Sequence, residues 1–240
     1  MFYSGQNKIL FIAPPKTGST SVEKQLVKVF DDGKRFQIEL PDRTVTSRDV
    51  KTPSLGHAKA VEIRDAVSVD VFSALSVFGF VRDPIEKLVS SYFFTRSRTL
   101  SDAFQMGTKR SKSMLIVRRV STILLARVLP LWLWSLVFRM RDCSSYFTDR
   151  DGKLIVDYLG SIQRLSQDLN AIFDDIGLNV DKVAIPRINT SKHRKPRDYW
   201  FFRLFIPMLQ KRYAADIALY AMVKDGVWIN PKRASDRVPE

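Results

Sequence analysis

The sequence predicts an α/β fold in which a central parallel sheet is flanked by helices. Two short apolar runs, Ile9–Ala13 and Ser76–Arg82, have the composition of strands that are buried on both faces. A helix is predicted directly after each run, and a further helix with an apolar stripe is predicted over Ser161–Ile176. Apolar strands that alternate with amphipathic helices are typical of parallel sheets.

The loop after the first predicted strand has the composition of an anion-binding site. It reads Ala13-Pro14-Pro15-Lys16-Thr17-Gly18-Ser19-Thr20-Ser21. Unpaired N–H groups at a helix start, together with the helix dipole, favour a phosphate group, and Lys16 adds a positive charge. The loop is not a Walker A motif. In that motif the lysine follows a glycine-rich loop, whereas here Lys16 precedes Gly18, the only glycine of this loop.

Composition restricts the classes of protein to which the chain can belong. Its 240 residues suit one domain, or one domain with an appendage, and we expect a single domain over residues 1–240. The formal net charge of +14 favours anionic partners, such as an anionic cofactor, glycan, nucleic acid or membrane surface. The single cysteine, Cys143, excludes an intramolecular disulfide, and His57 and His193 are too few for a zinc site. Because no signal-peptide pattern precedes the first predicted strand, we expect a cytoplasmic protein.

The second predicted strand ends at an arginine and leads into a strong helix-start signal. Asp83 is a favourable N-cap, Pro84 suits the first helical position, and Glu86 stands three residues after the cap. Arg82 is therefore expected at the carboxyl end of a strand, where ligands bind in open α/β sheets. A guanidinium group there offers several planar donors to phosphate oxygens.

Two segments resemble the cofactor-binding motifs of sulfotransferases that use 3′-phosphoadenosine 5′-phosphosulfate (PAPS). Pro15–Ser21 resembles the 5′-phosphosulfate-binding loop, and Phe80–Tyr92 resembles the 3′-phosphate-binding segment, in which Arg82 and Ser90 match the phosphate ligands. The resemblance implies a P-loop-containing nucleoside triphosphate hydrolase-like fold, with PAPS as co-substrate and no metal. It also implies that the 5′-phosphate is held by Lys16, Thr17, Gly18, Ser19 and Thr20.

The segment around His57 is similar to the histidine-containing segment of the carbohydrate-type, sulfotransferase family 2-like branch. The resemblance implies that His57 is the general base for the acceptor hydroxyl, a role that suits the ordinary pKa of histidine. Glu62 is the alternative base. A histidine that only hydrogen-bonds the backbone at a helix start is the structural alternative.

Residues 112–142 are predicted to form a hydrophobic helical insertion. The stretch approaches the length of a membrane span, but Arg127 and Pro130 interrupt it and basic residues flank it. Three placements fit this pattern: contact with an anionic membrane surface, burial within the protein, and a true span. A true span is disfavoured, because it would separate the two halves of the catalytic domain.

The C-terminal part of the chain adds one candidate ligand. Asn189–Pro196 is a basic loop at the position where family members close over the nucleotide, and Lys192 is its candidate ligand for the 3′-phosphate. A solvated basic turn is the alternative. Tyr199–Ala221 is predicted to be helical with a break at Pro207, and it resembles the closing helix of the family.

These features predict a PAPS-dependent O-sulfotransferase of EC 2.8.2 type that acts on a carbohydrate or glycolipid hydroxyl, peripheral to the inner face of a membrane. A nucleotide kinase-like P-loop enzyme is one alternative, which the position of Lys16 opposes. The other is a non-catalytic basic protein that binds membranes or nucleic acid. The cations of this chain are scattered along the sequence, and no nucleic-acid-binding module is recognisable. We therefore expect no nucleic acid partner.

Overall fold

The computed structural model describes residues 1–35, 37–50, 55–101, 112–185 and 200–231. The chain divides into two compact units. The sheet unit comprises residues 1–82, 142–190 and 215–240, and the helical unit comprises residues 83–141 and 191–214. That all 240 residues act as one sulfotransferase domain stays a prediction.

Strands of the sheet unit form a mixed sheet with a parallel centre. In chain order the strands are β1 (Phe2–Ser4), β2 (Ile9–Ile12), β3 (Lys34–Arg35), β4 (Ile38–Glu39), β5 (Thr44–Val45), β6 (Ser76–Val81), β7 (Tyr158–Ser161) and β8 (Trp228–Ile229). The main sheet has the order β3-β1-β2-β6-β7-β8, while β4 and β5 pair with each other. The two predicted strands, β2 and β6, are parallel neighbours and β7 adds a third parallel strand, whereas the pairings β1–β2, β1–β3 and β7–β8 are antiparallel.

Helices occur in both units. Within the described residues they are α1 (Ser19–Val29), α2 (Ala60–Val67), α3 (Val69–Ser73), α4 (Pro84–Ser97), α5 (Lys112–Val128), α6 (Leu131–Val137), α7 (Leu165–Asp175), α8 (Trp200–Arg212) and α9 (Ala214–Ala221). Short 3₁₀ turns lie at Leu55–His57, Ser144–Tyr146 and Ile162–Arg164.

Helices cover both faces of the sheet. Successive side chains of each central strand point to opposite faces, so each strand contributes to two separate cores. Leu10 and Ile12 belong to the core shared with α2, α3 and α9. Ile9 and Phe11 belong to the core shared with α1 and α7. The sheet unit is therefore a layered α/β structure, and the predicted flanking helices are confirmed.

The predicted N-cap and the predicted first helical position after β6 are confirmed. Asp83 Oδ1 accepts hydrogen bonds from the N–H groups of Ile85 and Glu86, both at 2.9 Å. Pro84 occupies the first position of α4. Other details differ from the predictions: β1 was not predicted, the helix predicted from Ser161 begins at Leu165 because Ser161 ends β7, and α8 continues through Pro207, ending at Arg212.

The helical unit has a core of its own, which the predicted insertion helps to form. Residues 112–142 contain α5 and α6, which are interrupted at Pro130 as predicted. Ala126 and Trp134 are buried against Tyr92 of α4 and Leu209 of α8. No helix among the described residues has the length and hydropathy that a membrane span requires.

Candidate active site

The loop between β2 and α1 has the backbone geometry of an anion site. Lys16 and Gly18 both adopt the left-handed region, with φ values of 69° and 73°. N–H groups in such conformations form concave anion-binding nests. Helix α1 begins at Ser19, and within the described residues no side chain caps its first turn. The positive end of the α1 dipole therefore lies at this loop, where the half-buried Lys16 is also located.

The side chains of the loop differ in what they contact. Thr17 is fully buried, and its hydroxyl donates to the carbonyl oxygen of Pro14 at 2.8 Å. The Thr17 side chain therefore holds the loop together, and its contact with a 5′-phosphate stays a prediction. Ser19 is buried, whereas Thr20 is exposed. Their contacts with a 5′-phosphate stay predictions.

Glycine is favoured at position 18 for two independent reasons. Its φ of 73° lies in the left-handed region, which residues other than glycine adopt only at a cost in free energy. A Cβ atom there would also stand 3.1 Å from Cδ1 of Ile162, in the turn after β7. The loop therefore packs closely against a neighbouring strand end.

His57 lies beside the same loop. Its Nδ1 is 2.7 Å from the carbonyl oxygen of Ala13, the residue that follows β2. A carbonyl oxygen only accepts, so Nδ1 is the protonated nitrogen in this bond, and in the neutral ring Nε2 carries the lone pair. The side chain is exposed. His57 thus combines a fixed tautomer with a basic nitrogen that solvent can reach.

The alternative base, Glu62, has a structural role at the start of α2. Its Oε2 accepts a hydrogen bond of 3.2 Å from the backbone N–H of Lys59, the N-cap residue. This is the reciprocal half of a capping box. The carboxylate is thus used to hold the helix that follows His57.

Arg82 occupies the predicted position at the end of β6. Strands β2 and β6 are parallel neighbours, with Ile12 paired to Gly79, so their carboxyl ends meet at one edge of the sheet. The Lys16 loop leaves this edge after β2, and Arg82 follows β6. The structure thus brings the predicted 5′-phosphate loop, His57 and Arg82 to one region of the sheet unit.

The remaining predicted ligands are outside this unit or outside the described residues. Ser90 is a buried residue of α4 in the helical unit. Lys192 lies outside the described residues. Their assignment to the 3′-phosphate stays a prediction.

The turn after β7 is a neighbour of the loop that the sequence did not single out. Asp168 Oδ2 accepts a hydrogen bond of 2.7 Å from the N–H of Ser161, and its Oδ1 lies 3.1 Å from Nε of Arg164. Burial raises the pKa of the Asp168 carboxyl above its ordinary value, against the opposing effects of these two partners. The buried carboxyl fixes the turn that carries Ile162 against Gly18. The sequence signal that could have indicated this turn is the apolar run of β7 before the helix. The end of such a run marks the end of a strand.

Comparison with protein families supports the assignment drawn from the motifs. A family model described as the sulfotransferase family matches residues 1–221, which include the Lys16 loop, His57, Arg82 and Ser90. Searches of curated proteins and of solved structures returned no significant match.

Proposed function

This chain belongs to the sulfotransferase family, and we propose that it transfers the sulfuryl group of PAPS to a hydroxyl of a carbohydrate or glycolipid acceptor. The observation that carries the proposal is the hydrogen bond between His57 Nδ1 and Ala13 O, at 2.7 Å. It attaches a candidate base to the first residue of the candidate anion loop. An acceptor and an anionic donor would therefore meet at one place.

The loop fits the 5′-phosphosulfate end of PAPS. The two left-handed residues, the start of α1 and the Lys16 ammonium together favour a group with several anionic oxygens. PAPS would supply the sulfuryl group and leave as adenosine 3′,5′-bisphosphate. Lys16 would stabilise the negative charge that develops on the bridging oxygen, which is electrostatic catalysis by a preorganised site.

His57 would take the proton of the acceptor hydroxyl. Its Nε2 holds the lone pair because Nδ1–H is bound to Ala13 O. The acceptor oxygen forms the new bond to sulfur while the bond from sulfur to the bridging oxygen breaks, and the proton passes to Nε2. Glu62 is the less suitable base, since its carboxylate caps α2.

Arg82 would bind the 3′-phosphate from the adjacent strand end. A guanidinium group makes paired hydrogen bonds to phosphate oxygens, and this contact contributes to affinity for the nucleotide. Ser90 and Lys192 are assigned to the same phosphate on the basis of the family resemblance. The cytoplasmic location is likewise part of the proposal.

Incubation of the purified chain with ³⁵S-labelled PAPS and cell-envelope or glycolipid extracts tests the function. We expect label in a glycan or glycolipid product, and we expect none with Lys16→Ala. A sulfated small phenol in place of a glycan would contradict the acceptor class.

Nucleotide titrations separate the proposed activity from the alternatives. We expect tight binding of adenosine 3′,5′-bisphosphate without magnesium. Binding of ATP that requires magnesium would instead indicate a kinase-like enzyme. A chain that binds neither nucleotide would be a non-catalytic basic protein.

A further inference from the structure

Helix α8 has an apolar surface on the side that faces solvent as well as on the side that faces the core. Phe202 and Leu209 are buried in the core of the helical unit. Four large apolar residues of α8 are exposed by between 42% and 68%: Trp200, Phe201, Leu204 and Met208. Contiguous apolar side chains on an exposed helix surface are typical of contact with a protein partner or a membrane.

The four exposed residues share one side of the helix. Trp200, Leu204 and Met208 are spaced by four residues, and such positions lie one above the other along a helix. Phe201 is adjacent to this row. We call these four residues the α8 outer face. It extends over most of a helix of 13 residues.

The charges of α8 are all positive. Arg203 and Lys211 are exposed, and the helix contains no aspartate or glutamate. A third cation, Arg212, is used internally, because its Nη1 donates to the carbonyl oxygens of Ser135 and Leu136 at the end of α6. Arg203 and Lys211 are thus the cations of α8 that are exposed beside the outer face.

Helix α5 of the same unit repeats the pattern. Val117, Leu124, Leu125 and Val128 are exposed by between 41% and 79%. Residues 103–141, which include α5, contain eight lysines and arginines and no acidic residue. The helical unit thus combines exposed apolar side chains with an excess of positive charge.

We propose that the α8 outer face is a membrane-docking surface that enters the interface of an anionic lipid bilayer. The aromatic and aliphatic side chains of this face would be buried against the acyl chains, while Arg203 and Lys211 would form ion pairs with the lipid phosphates. This assigns to α8 a contact that the sequence indicated only for residues 112–142. The proposal is independent of the sulfuryl transfer reaction.

Charge favours a bilayer over a second copy of the chain. In a two-fold symmetric dimer the α8 outer faces would meet, which would bring the cations of two copies together. A nucleic acid would neutralise the cations but would leave Leu204 and Met208 in water. An anionic bilayer satisfies both features at once.

Flotation of the full chain with vesicles tests the proposal. The vesicles contain either phosphatidylcholine alone or equal parts of phosphatidylcholine and phosphatidylglycerol. We expect binding to the anionic vesicles that weakens as salt is added. The double variant Trp200→Ser/Leu204→Ser should bind at least about tenfold more weakly, as should Arg203→Gln/Lys211→Gln.

Matched control variants change exposed residues of the sheet unit. Val69 and Met222 are also large, apolar and exposed, and Lys24 and Lys28 of α1 are exposed cations. Val69→Ser/Met222→Ser and Lys24→Gln/Lys28→Gln should bind like the unmodified chain. Circular dichroism and the Tm of each variant confirm that it is folded.

A second measurement needs no variant. Tryptophan fluorescence of the unmodified chain should be quenched by brominated acyl chains in the anionic vesicles. Absence of quenching, or equal losses in the control variants, would overturn the proposal. A dimer that the α8 variants dissociate, without any binding to vesicles, would assign the surface to a second copy of the chain instead.

Discussion

His57 Nδ1 donates a hydrogen bond of 2.7 Å to the carbonyl oxygen of Ala13, across 44 positions of sequence. The bond joins a histidine at the end of a 3₁₀ turn to the residue that opens the Lys16 loop. It determines which ring nitrogen carries the proton. It also ties the position of the proposed base to that of the loop.

Replacement of the base tests this relationship. His57→Asn keeps an N–H donor for Ala13 O but has no basic nitrogen, so we expect kcat to fall by about 10²- to 10⁴-fold. The Kd for adenosine 3′,5′-bisphosphate, measured by calorimetry, should change little. The control is Glu62→Gln, which keeps an acceptor oxygen for the Lys59 N–H. Loss of kcat in the control with turnover retained in His57→Asn would exchange the two roles.

Lys16 should act on the transition state more than on binding. We expect Lys16→Ala to abolish nearly all turnover, because the leaving oxygen would lose the cation that is proposed to stabilise its developing charge. The ³⁵S transfer assay measures this effect. Lys24→Ala, an exposed lysine of the same loop–helix segment, should retain activity. Equal turnover in the two variants would exclude the role given to Lys16.

Arg82 should act mainly on nucleotide affinity. In Arg82→Ala the Kd for adenosine 3′,5′-bisphosphate should rise by about tenfold or more, since a charge-assisted contact contributes roughly 1.5–3 kcal/mol. Adenosine 5′-monophosphate, which lacks the 3′-phosphate, is the control ligand. Its Kd should be almost the same for both proteins, and a parallel loss for both nucleotides would place Arg82 elsewhere.

Substitutions at Gly18 and Gly152 distinguish the cost of backbone strain from the cost of close packing. Gly18 and Gly152 have φ values of 73° and 81°, but a Cβ would meet Ile162 at Gly18 and nothing within 4 Å at Gly152. We expect Gly152→Ala to lower the free energy of unfolding by about 1–2 kcal/mol through strain alone. Gly18→Ala should cost more, because Ile162 must also move. Chemical denaturation measures both, and equal losses would show that the packing contact is unimportant.

Asp168 predicts a pH dependence of stability. Burial raises the pKa of its carboxyl in the folded state, so the native chain binds this proton more tightly than the unfolded chain does. The stabilisation is present below the ordinary pKa of 3.8 and is lost as the pH rises through the raised value. Denaturation curves from acid to neutral pH should therefore show Asp168→Asn gaining stability relative to the unmodified chain. A constant difference between the two proteins would contradict this.

Features that depend on residues close together in the sequence could be predicted. The cap at Asp83, the first position at Pro84 and the loop before α1 are local signals, and the structure places each element where these signals predict. Pro207 misled the prediction because a proline commonly interrupts a helix, whereas α8 runs through Pro207 from Trp200 to Arg212. Strand β1 has three residues, which is too short for a periodic pattern.

Long-range relationships in the site could not be predicted. Nothing near His57 in the sequence indicates the carbonyl that it binds, and nothing near Gly18 indicates Ile162. These contacts are set by which strand ends meet at one edge of the sheet. The sequence therefore indicates candidate site residues more readily than the contacts that hold them.

Both units are assembled from segments that are far apart in the chain, and this affects how the protein is made. Strand β8 pairs Trp228 and Ile229 with β7, and the core of the helical unit needs Leu209 against Tyr92. Neither core is complete while the first two hundred residues alone have left the ribosome. The nascent chain therefore exposes apolar surface until late in synthesis, and its yield should depend on chaperones that hold the early segments.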